Sequence, residues 1–304
     1  MDFGVNLLNF GTGTTPASLA QQALDARDFG YTFAMISDHI AVTADVDAVY
    51  PSPFYDQFAL AAFLAGRVPG LTLGTSVTVV PYRHPLHTAR LAANVDQLCE
   101  GGFILGAGIG WSEPEFEVLG VEFKDRGRIS DEYLAVIRGA WREDPYSFRG
   151  AYVSFDGVRT GPAPASRPGI PVWVGGDSPA ALRRAARFGE AWHPYKPSVR
   201  RLRAALPVLA AEADAAGRAA PALAPRLHLR VTERPLGEDR PAGHGTSDQI
   251  RRDLWALAEL GATHVLFDTY AGFPELTRGT AREDRALLER VVTRFVDPVS
   301  GTPR

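Results

Sequence analysis

An acid and a histidine stand side by side directly after the apolar residues Met35 and Ile36. Ser37, Asp38 and His39 follow that run with no turn glycine. A histidine side chain titrates near neutral pH, so its ring can accept or donate a proton during a reaction. A helix cap would need only Ser37 or Asp38, and two capping side chains are the structural alternative. The pair is therefore a candidate for acid–base chemistry.

A second candidate feature is the alternation of glycine in "LGAGIGW". Gly106, Gly108 and Gly110 take every second position, so one face of an extended segment carries no side chains. A flat ligand or another stretch of backbone could lie against such a face, and close strand–helix packing is the alternative. Ala107 and Trp111 belong to the same candidate surface.

The segment "GGDSP" is a candidate anion site. Gly175 and Gly176 permit a tight turn, Ser178 can cap a helix, and Pro179 suits the first helical turn. Free amides around Asp177 and Ser178 would favour an anion, most naturally a phosphate, and a well-capped helix is the alternative. Together the two glycine-containing segments suggest one long ligand with a flat part and a phosphate.

The sequence gives little support to a metal site, and we predict none. Of the seven histidines only His84 and His87 are close in sequence, and Pro85 places them at a helix start, where a capping role is expected. No second ligand pair has zinc spacing, and no GxSxG nucleophile motif occurs. Cys99 is the only cysteine, so no intrachain disulfide can form. We expect it to be a small residue on an apolar helix face.

The charge balance excludes some partners. The net charge of −3 gives no indication of nucleic-acid binding. No stretch approaches the roughly 20 apolar residues that cross a bilayer, and the N-terminal segment is strand-like rather than a leader. With a single cysteine, this predicts a cytoplasmic protein without membrane contact. The arginines occur in three clusters that we interpret as solvated helix faces: Arg183, Arg184 and Arg187; Arg200, Arg201 and Arg203; Arg251 and Arg252.

Short apolar runs alternate with helix-period segments along all 304 residues. The predicted strands are 3–8, 32–37, 71–77, 103–109, 171–174, 191–195, 227–232 and 264–268. A helix follows each strand, which favours a parallel sheet covered on both faces, and eight such units indicate a closed (β/α)₈ barrel. An open doubly wound sheet is the alternative, but "NFGTGT" lacks the GxGxxG fingerprint.

We expect one TIM-barrel domain over residues 1–304, with insertions at about 41–57 and 111–160; the second contains a hairpin in "YSFRGAYVSFDG". Active sites of such barrels lie at the C-terminal ends of the strands. The strand exits that carry the candidates above would then meet at one mouth. The third strand adds Thr75, Ser76 and Val77 to that mouth.

Five segments resemble the bacterial luciferase-like superfamily of flavin-dependent barrels. They are "SDHI", "GTSVTVVPYRHP", "LGAGIGWSEPEFEVLG", "VWVGGDSPAALRRAARFGEAWHP" and "GATHVLFD". The resemblance implies FMN or the deazaflavin F420 as cofactor, a small-molecule substrate and a homodimer. It also implies a cis peptide at Ser76–Val77, next to Thr75, behind the central ring of the cofactor. The glycines of the fourth strand would lie close to that ring, and Gly175 to Ser178 would take the phosphate.

The stretch "GWSEPEFEVLG…FKDRGRISDEYL" is most similar to the F420-dependent oxidoreductase branch of this superfamily. In that branch His39 would lie beside the reactive carbon, and Asp38 would orient it or contact the ring. Trp111 stands where sugar-phosphate dehydrogenases of the branch carry a glutamate, which argues against that substrate class. "LCEGGF" also departs from the usual "LSGGR".

Three functions stay open at this point. The first is hydride transfer between F420 and a small organic substrate. The second is an FMN-dependent monooxygenase that uses oxygen and is served by a separate flavin reductase. The third is a barrel that has lost cofactor binding.

Overall fold

The computed structural model describes residues 1–270 and 281–304. The helices are α1 (Pro16–Asp28), α2 (Ala44–Asp47), α3 (Gln57–Ala65), α4 (Pro85–Leu98), α5 (Glu113–Val118), α6 (Arg126–Ala140), α7 (Pro179–Phe188), α8 (Val199–Ala215), α9 (Ser247–Glu259) and α10 (Ala281–Arg294). The strands of the first half are β1 (Asp2–Leu7), β2 (Phe33–Ile36), β3 (Thr72–Thr75), β4 (Thr78–Val79), β5 (Phe103–Gly108), β6 (Tyr146–Arg149) and β7 (Ser154–Val158). Those of the second half are β8 (Val172–Gly175), β9 (Ala191–His193), β10 (Ala222–Leu223), β11 (Arg226–His228), β12 (Arg230–Val231), β13 (His244–Gly245), β14 (His264–Asp268), β15 (Val296–Asp297) and β16 (Thr302–Pro303).

The central sheet is parallel and closes on itself. Its order is β10-β9-β8-β5-β3-β2-β1-β14-β11, and the two ends of this path, β10 and β11, are successive pieces of one segment, residues 222–228. That segment bonds both neighbours: the Ala224 amide donates to the Trp192 carbonyl, and the Leu266 amide donates to the Pro225 carbonyl. The predicted barrel is therefore confirmed, and the open sheet was the wrong alternative.

The third predicted strand is interrupted where the sequence analysis expected a continuous run. Gly74 lies opposite Ile104, and Thr78 lies opposite Ala107. Between these two pairs the chain advances by four residues from β3 to β4 but by only three along β5. The extra residue forms a bulge between β3 and β4. The bond between Ser76 and Val77 within it is cis, as the resemblance implied.

Two apolar layers hold the barrel together. Alternate strand residues fill its interior, among them Phe33, Met35, Ile104, Trp173 and Leu266. The opposite faces of the strands pack against the helices, and in α1 the buried face includes Leu19, Ala23 and Ala26, which follow the helical period. Burial on both sides explains why the strands carry continuous apolar runs.

The insertions lie outside this alternation. β6 and β7 pair antiparallel as the predicted hairpin, and the short α2 lies within the predicted insertion at 41–57. In the part of the chain that the structure covers, every helix falls short of the length or apolar character that bilayer crossing requires.

Candidate active site

A cavity of about 320 Å³ lies at the C-terminal mouth of the barrel. Most of the predicted site residues line it: Asp38, His39, Ser76, Val77, Gly108, Gly110, Trp111, Gly175, Gly176, Asp177 and Ser178. A larger cavity, about 430 Å³, lies outside the barrel beside β1, α1 and α10, and its lining includes none of these residues. The mouth is therefore where the structure brings the candidate chemistry together.

His39 is held by a carboxylate that the sequence analysis did not select. Its Nδ1 lies 2.6 Å from Oε2 of Glu115, and both side chains are buried. The imidazole ring packs among the rings of Tyr50, Phe54 and Trp111, at centroid distances of 5.4, 5.3 and 5.9 Å. Among the described residues nothing hydrogen-bonds to Nε2, which leaves that nitrogen for the cavity.

Glu115 receives four hydrogen bonds in a fully buried position. Oε1 accepts from the amides of Ile40 (2.7 Å) and Ala41 (3.0 Å), and Oε2 accepts from the hydroxyl of Tyr82 (2.8 Å) besides its bond with His39. Burial by itself would raise the pKa of Glu115. The bonds from His39, Ile40 and Tyr82 outweigh burial and lower that pKa below its ordinary value. The carboxylate is thus charged and fixes the loop that carries the histidine.

Asp38 pairs with an arginine and not with His39, while its contact with the cofactor ring stays a prediction. Its carboxylate forms a bidentate pair with Arg83, at 2.7 Å for each oxygen, and accepts the amide of Val79 at 2.9 Å. Arg83 also contacts Asp56 at 3.2 Å. The expectation that Asp38 orients His39 was therefore wrong, because its oxygens already serve other partners. Asp38 still lines the cavity.

The glycines of β5 make room mainly for the neighbouring strand. A Cβ on Gly106 would lie 1.8 Å from the carbonyl oxygen of Thr75, and a Cβ on Gly108 would lie 2.4 Å from Cγ2 of Val77. Thr75, Gly106 and Ala107 do not line the cavity. These three residues therefore lie where β5 meets the bulge, Gly108 lies at the boundary of the cavity, and their contact with a ligand stays a prediction.

The floor of the cavity is a hydrogen-bonded network around Ser76. His193 Nδ1 lies 2.5 Å from the carbonyl of Ala224, and its Nε2 lies 2.9 Å from the Ser76 hydroxyl. Arg226 donates to the carbonyl of Ser76 and pairs with the buried Asp268 at 2.7 Å. Complete burial lowers the pKa of His193 to about 4, so this ring is neutral at physiological pH.

The other end of the cavity meets the start of α7. Ser178 caps the helix by accepting the amide of Ala181 at 3.2 Å. Arg184 lines the same region: its Nε donates to Asp131 at 2.6 Å and its Nη2 to the carbonyl of Gly127 at 3.0 Å. The interpretation of Arg184 as part of a solvated face was wrong, since the residue is only 6% exposed.

The turn before α7 is shaped by its glycines. Gly176 has φ +94°, in the left-handed region that side chains disfavour, and its carbonyl accepts from the indole of Trp192 at 2.7 Å. Asp177 is exposed and lies 3.6 Å from Arg201. The turn therefore presents backbone to the cavity, as expected for an anion site.

Sequence reasoning missed three residues that shape this site: Tyr82, Glu115 and Arg226. Tyr50, His193 and Arg226 line the cavity. His193 stands at a predicted strand exit, and that position was the one signal available for it. Glu115 reaches His39 from another element, and Tyr82 in turn reaches Glu115, so no local pattern marks either residue. His84 caps α4 as predicted, and in the described ranges no cluster of three potential metal ligands occurs.

The family model for luciferase-like monooxygenases matches residues 1–236. FMNH2-dependent dimethylsulfone monooxygenase of Pseudomonas fluorescens is 34% identical over 200 residues, which are 65% of this chain and 52% of that protein. The chain spans between a half and three fifths of the length of the curated relatives it matches first.

Solved structures with the same architecture include a monooxygenase and an F420-dependent reductase. Monooxygenase RslO1 from Streptomyces bottropensis superimposes with a TM-score of 0.78 at 18% identity, covering 97% of this chain and 98% of that one. The F420-dependent tetrahydromethanopterin reductase from Methanopyrus kandleri gives 0.77 at 18% identity, covering 96% and 97%. At this identity the likeness shows the fold alone. Because the family model covers most of the sequence, the chain belongs to the luciferase-like monooxygenase family.

Proposed function

We propose that this protein is an F420-dependent oxidoreductase that transfers a hydride between the deazaflavin and a small uncharged organic substrate. The observation that carries the proposal is the convergence of three features on one cavity. These are the acid–base group His39, the bulge at Ser76–Val77, and the start of α7 with Arg184. An acid–base histidine facing a cavity suits a reaction in which a proton and a hydride leave together.

The residues at the mouth fit a planar ring with a phosphate tail. In the described residues the amides of Asp177, Ser178 and Ala180 have no hydrogen-bond partner, and a helix start with free amides attracts an anion. Arg184 lines the same end, and although its Nε is paired with Asp131, its Nη1 has no hydrogen-bond partner among the described residues and could donate to an anion. These groups would hold the phosphate, and the backbone of Ser76 and Val77 would support the ring.

When bound, the deazaflavin would supply the hydride chemistry, and the side chains of this chain would manage the proton. Nε2 of His39 would take the hydroxyl proton of an alcohol, or return it to the oxygen of a carbonyl in the reverse direction. The rings of Tyr50, Phe54 and Trp111 around the imidazole would exclude water from the reacting atoms.

The charges near His39 favour an uncharged substrate. Arg226 is paired with Asp268, and Arg83 is paired with Asp38, both at 2.7 Å. An ionised substrate at His39 would find no unpaired charge of opposite sign on these groups, and burying it would therefore be costly. Neutral alcohols, aldehydes and ketones meet this requirement.

The test is a titration of the purified protein with F420 and, separately, with FMN, followed by quenching of cofactor fluorescence. We expect saturable binding of F420 and weaker binding of FMN. A panel of uncharged alcohols and ketones then tests turnover through the absorbance of F420. Binding of FMN alone would replace this proposal by the second candidate below, and absence of binding by either cofactor would overturn both.

A second candidate is an FMN-dependent monooxygenase supplied with reduced flavin by another protein. The observation in its favour is the relative at 34% identity whose name specifies FMNH2. The same anion site would serve the phosphate of FMN. Oxygen consumption in the presence of chemically reduced FMN and candidate substrates distinguishes this reaction from hydride transfer to F420.

A further inference from the structure

The four hydrogen bonds of Glu115 are shared between its two carboxylate oxygens, and this arrangement determines which ring nitrogen of His39 carries hydrogen. Oε1 faces two backbone amides, Ile40 and Ala41, which can only donate. Oε2 faces the Tyr82 hydroxyl at 2.8 Å and Nδ1 of His39 at 2.6 Å. A carboxylate can only accept, so the His39 nitrogen that faces it must carry hydrogen.

From this arrangement we infer that Glu115 is a positioning residue that keeps hydrogen on Nδ1 of His39 and makes Nε2 the nitrogen that exchanges protons. Nδ1 carries hydrogen in both the neutral ring and the cation. The ring therefore gains and loses its proton at Nε2, on the side of the cavity. The assignment of the tautomer stands on geometry, and its use in turnover rests on the proposed function.

Other contacts of the ring are compatible with this assignment. Tyr50, Phe54 and Trp111 contact the imidazole as aromatic rings and fix its plane, and none of the three hydrogen-bonds to a ring nitrogen. Glu115 is fully buried, so water does not compete for its oxygens. The carboxylate of the preceding residue, Asp38, is occupied by Arg83 and the amide of Val79.

The substitution Glu115→Gln makes the inference testable because an amide has one acceptor and one donor end. The two fixed amides of Ile40 and Ala41 require the amide oxygen of the new side chain. Its NH2 group must then face His39, and Nδ1 has to become an acceptor. Glu115→Gln should therefore move the hydrogen from Nδ1 to Nε2, although the shape of the side chain is kept.

The measurement is the ¹⁵N NMR spectrum of histidine-labelled protein at alkaline pH, without cofactor. The signals of His39 are assigned by their loss in His39→Gln. We expect Nδ1 to be the protonated nitrogen in the wild type and Nε2 to be the protonated nitrogen in Glu115→Gln. Tyr82→Phe is the matched control, because it removes one bond to the same oxygen and should leave hydrogen on Nδ1.

Hydrogen on Nε2 in the wild type, an unchanged tautomer in folded Glu115→Gln, or a changed tautomer in Tyr82→Phe would each overturn the inference. If Glu115→Gln does not fold, the wild-type and Tyr82→Phe spectra still decide it. The NMR measurement needs no cofactor. If it gives the expected tautomers but neither F420 nor FMN binds in the titration, only the proposed function is overturned and the inference about Glu115 stands. If F420 turnover is found, Glu115→Gln should lower kcat by about 10²-fold or more, since Nε2 can no longer accept the proton.

Discussion

Nη1 of Arg226 donates two hydrogen bonds to Ser76, to its carbonyl oxygen at 2.6 Å and to its hydroxyl at 3.1 Å. Ser76 lies in the bulge between β3 and β4, and Arg226 begins β11, so the contact holds the bulge against the start of that strand. Nε and Nη2 of the same guanidinium bind Asp268 on β14. Arg226 thus connects three strands at the mouth of the barrel, directly beneath the cavity.

Replacing Arg226 by Met should therefore destabilise the protein strongly. The change leaves the carboxylate of Asp268 and the carbonyl of Ser76 buried without this partner, and breaking a buried pair costs about 3–5 kcal/mol. Urea denaturation measures this loss, and adding Asp268→Asn should restore part of it. Arg27→Met is the control, because the Arg27–Asp28 pair is exposed and should contribute less than about 1 kcal/mol. Equal losses in the two variants would contradict the prediction.

The contact between β5 and the bulge predicts a steric penalty at Gly106. In Gly106→Ala the new Cβ would lie 1.8 Å from the Thr75 carbonyl oxygen, so the backbone of one strand has to shift. We expect a loss of about 3 kcal/mol in the free energy of unfolding, as for overpacked cores. Gly169→Ala meets no atom within 4 Å and should change stability by less than about 1 kcal/mol. A stable Gly106→Ala variant would show that the strands are not in such close contact.

If the proposed function is correct, His39→Ala should reduce turnover while the fold and cofactor binding are kept. Loss of a general acid–base group lowers kcat by about 10²–10⁴-fold. Steady-state kinetics and a cofactor titration measure the two effects separately. His87→Ala, at an exposed position of α4, serves as the control and should retain activity. Full activity in His39→Ala would remove His39 from the reaction.

Arg184→Met should weaken cofactor binding by removing a guanidinium hydrogen-bond donor, Nη1, from the phosphate end of the cavity. We expect about a tenfold or greater increase in Kd, corresponding to one charge-assisted hydrogen bond of about 1.5–3 kcal/mol. Fluorescence titration measures the change. The neighbouring Arg183 is exposed and outside the cavity lining, so Arg183→Met should bind as the wild type does. The same Kd for both variants would contradict a phosphate at this end.

The buried His193 predicts a loss of stability in mild acid. Burial lowers its pKa from 6.5 to about 4. As the pH falls from 6.5 towards 4, the unfolded chain binds a proton that the folded chain does not, so folding becomes less favourable over that window. The slope from this residue approaches about 1.4 kcal/mol per pH unit. His228 and His244, whose pKa values burial also lowers to about 4, act in the same direction.

Denaturation curves between pH 4 and 6.5 test this, with His193→Asn as the variant. Asparagine keeps a donor towards the Ala224 carbonyl but does not titrate. The variant should be less stable than the wild type at neutral pH, since it loses the bond to Ser76, and its stability should depend less on pH. Parallel pH profiles for the two proteins would mean that folding does not lower the pKa of His193.

The amino-acid sequence by itself determined the barrel and most of the lining of the mouth. Periodic apolar runs follow from burial on both faces of a parallel sheet, and the strand-end rule then places Asp38, His39 and the turn at Gly175–Ser178 at one end. The cap of α4 at His84 could also be predicted, because capping depends on neighbouring residues alone.

Only the tertiary structure decided which groups meet. Glu115, not the adjacent Asp38, holds His39, and Arg226 reaches Ser76 from a strand far along the chain. The glycines of β5 accommodate the bulge, so their spacing in the sequence could not separate a ligand contact from a strand contact. Hydrogen bonds and ion pairs between distant segments depend on distances that closure of the barrel creates. The local sequence pattern contains no information about those distances.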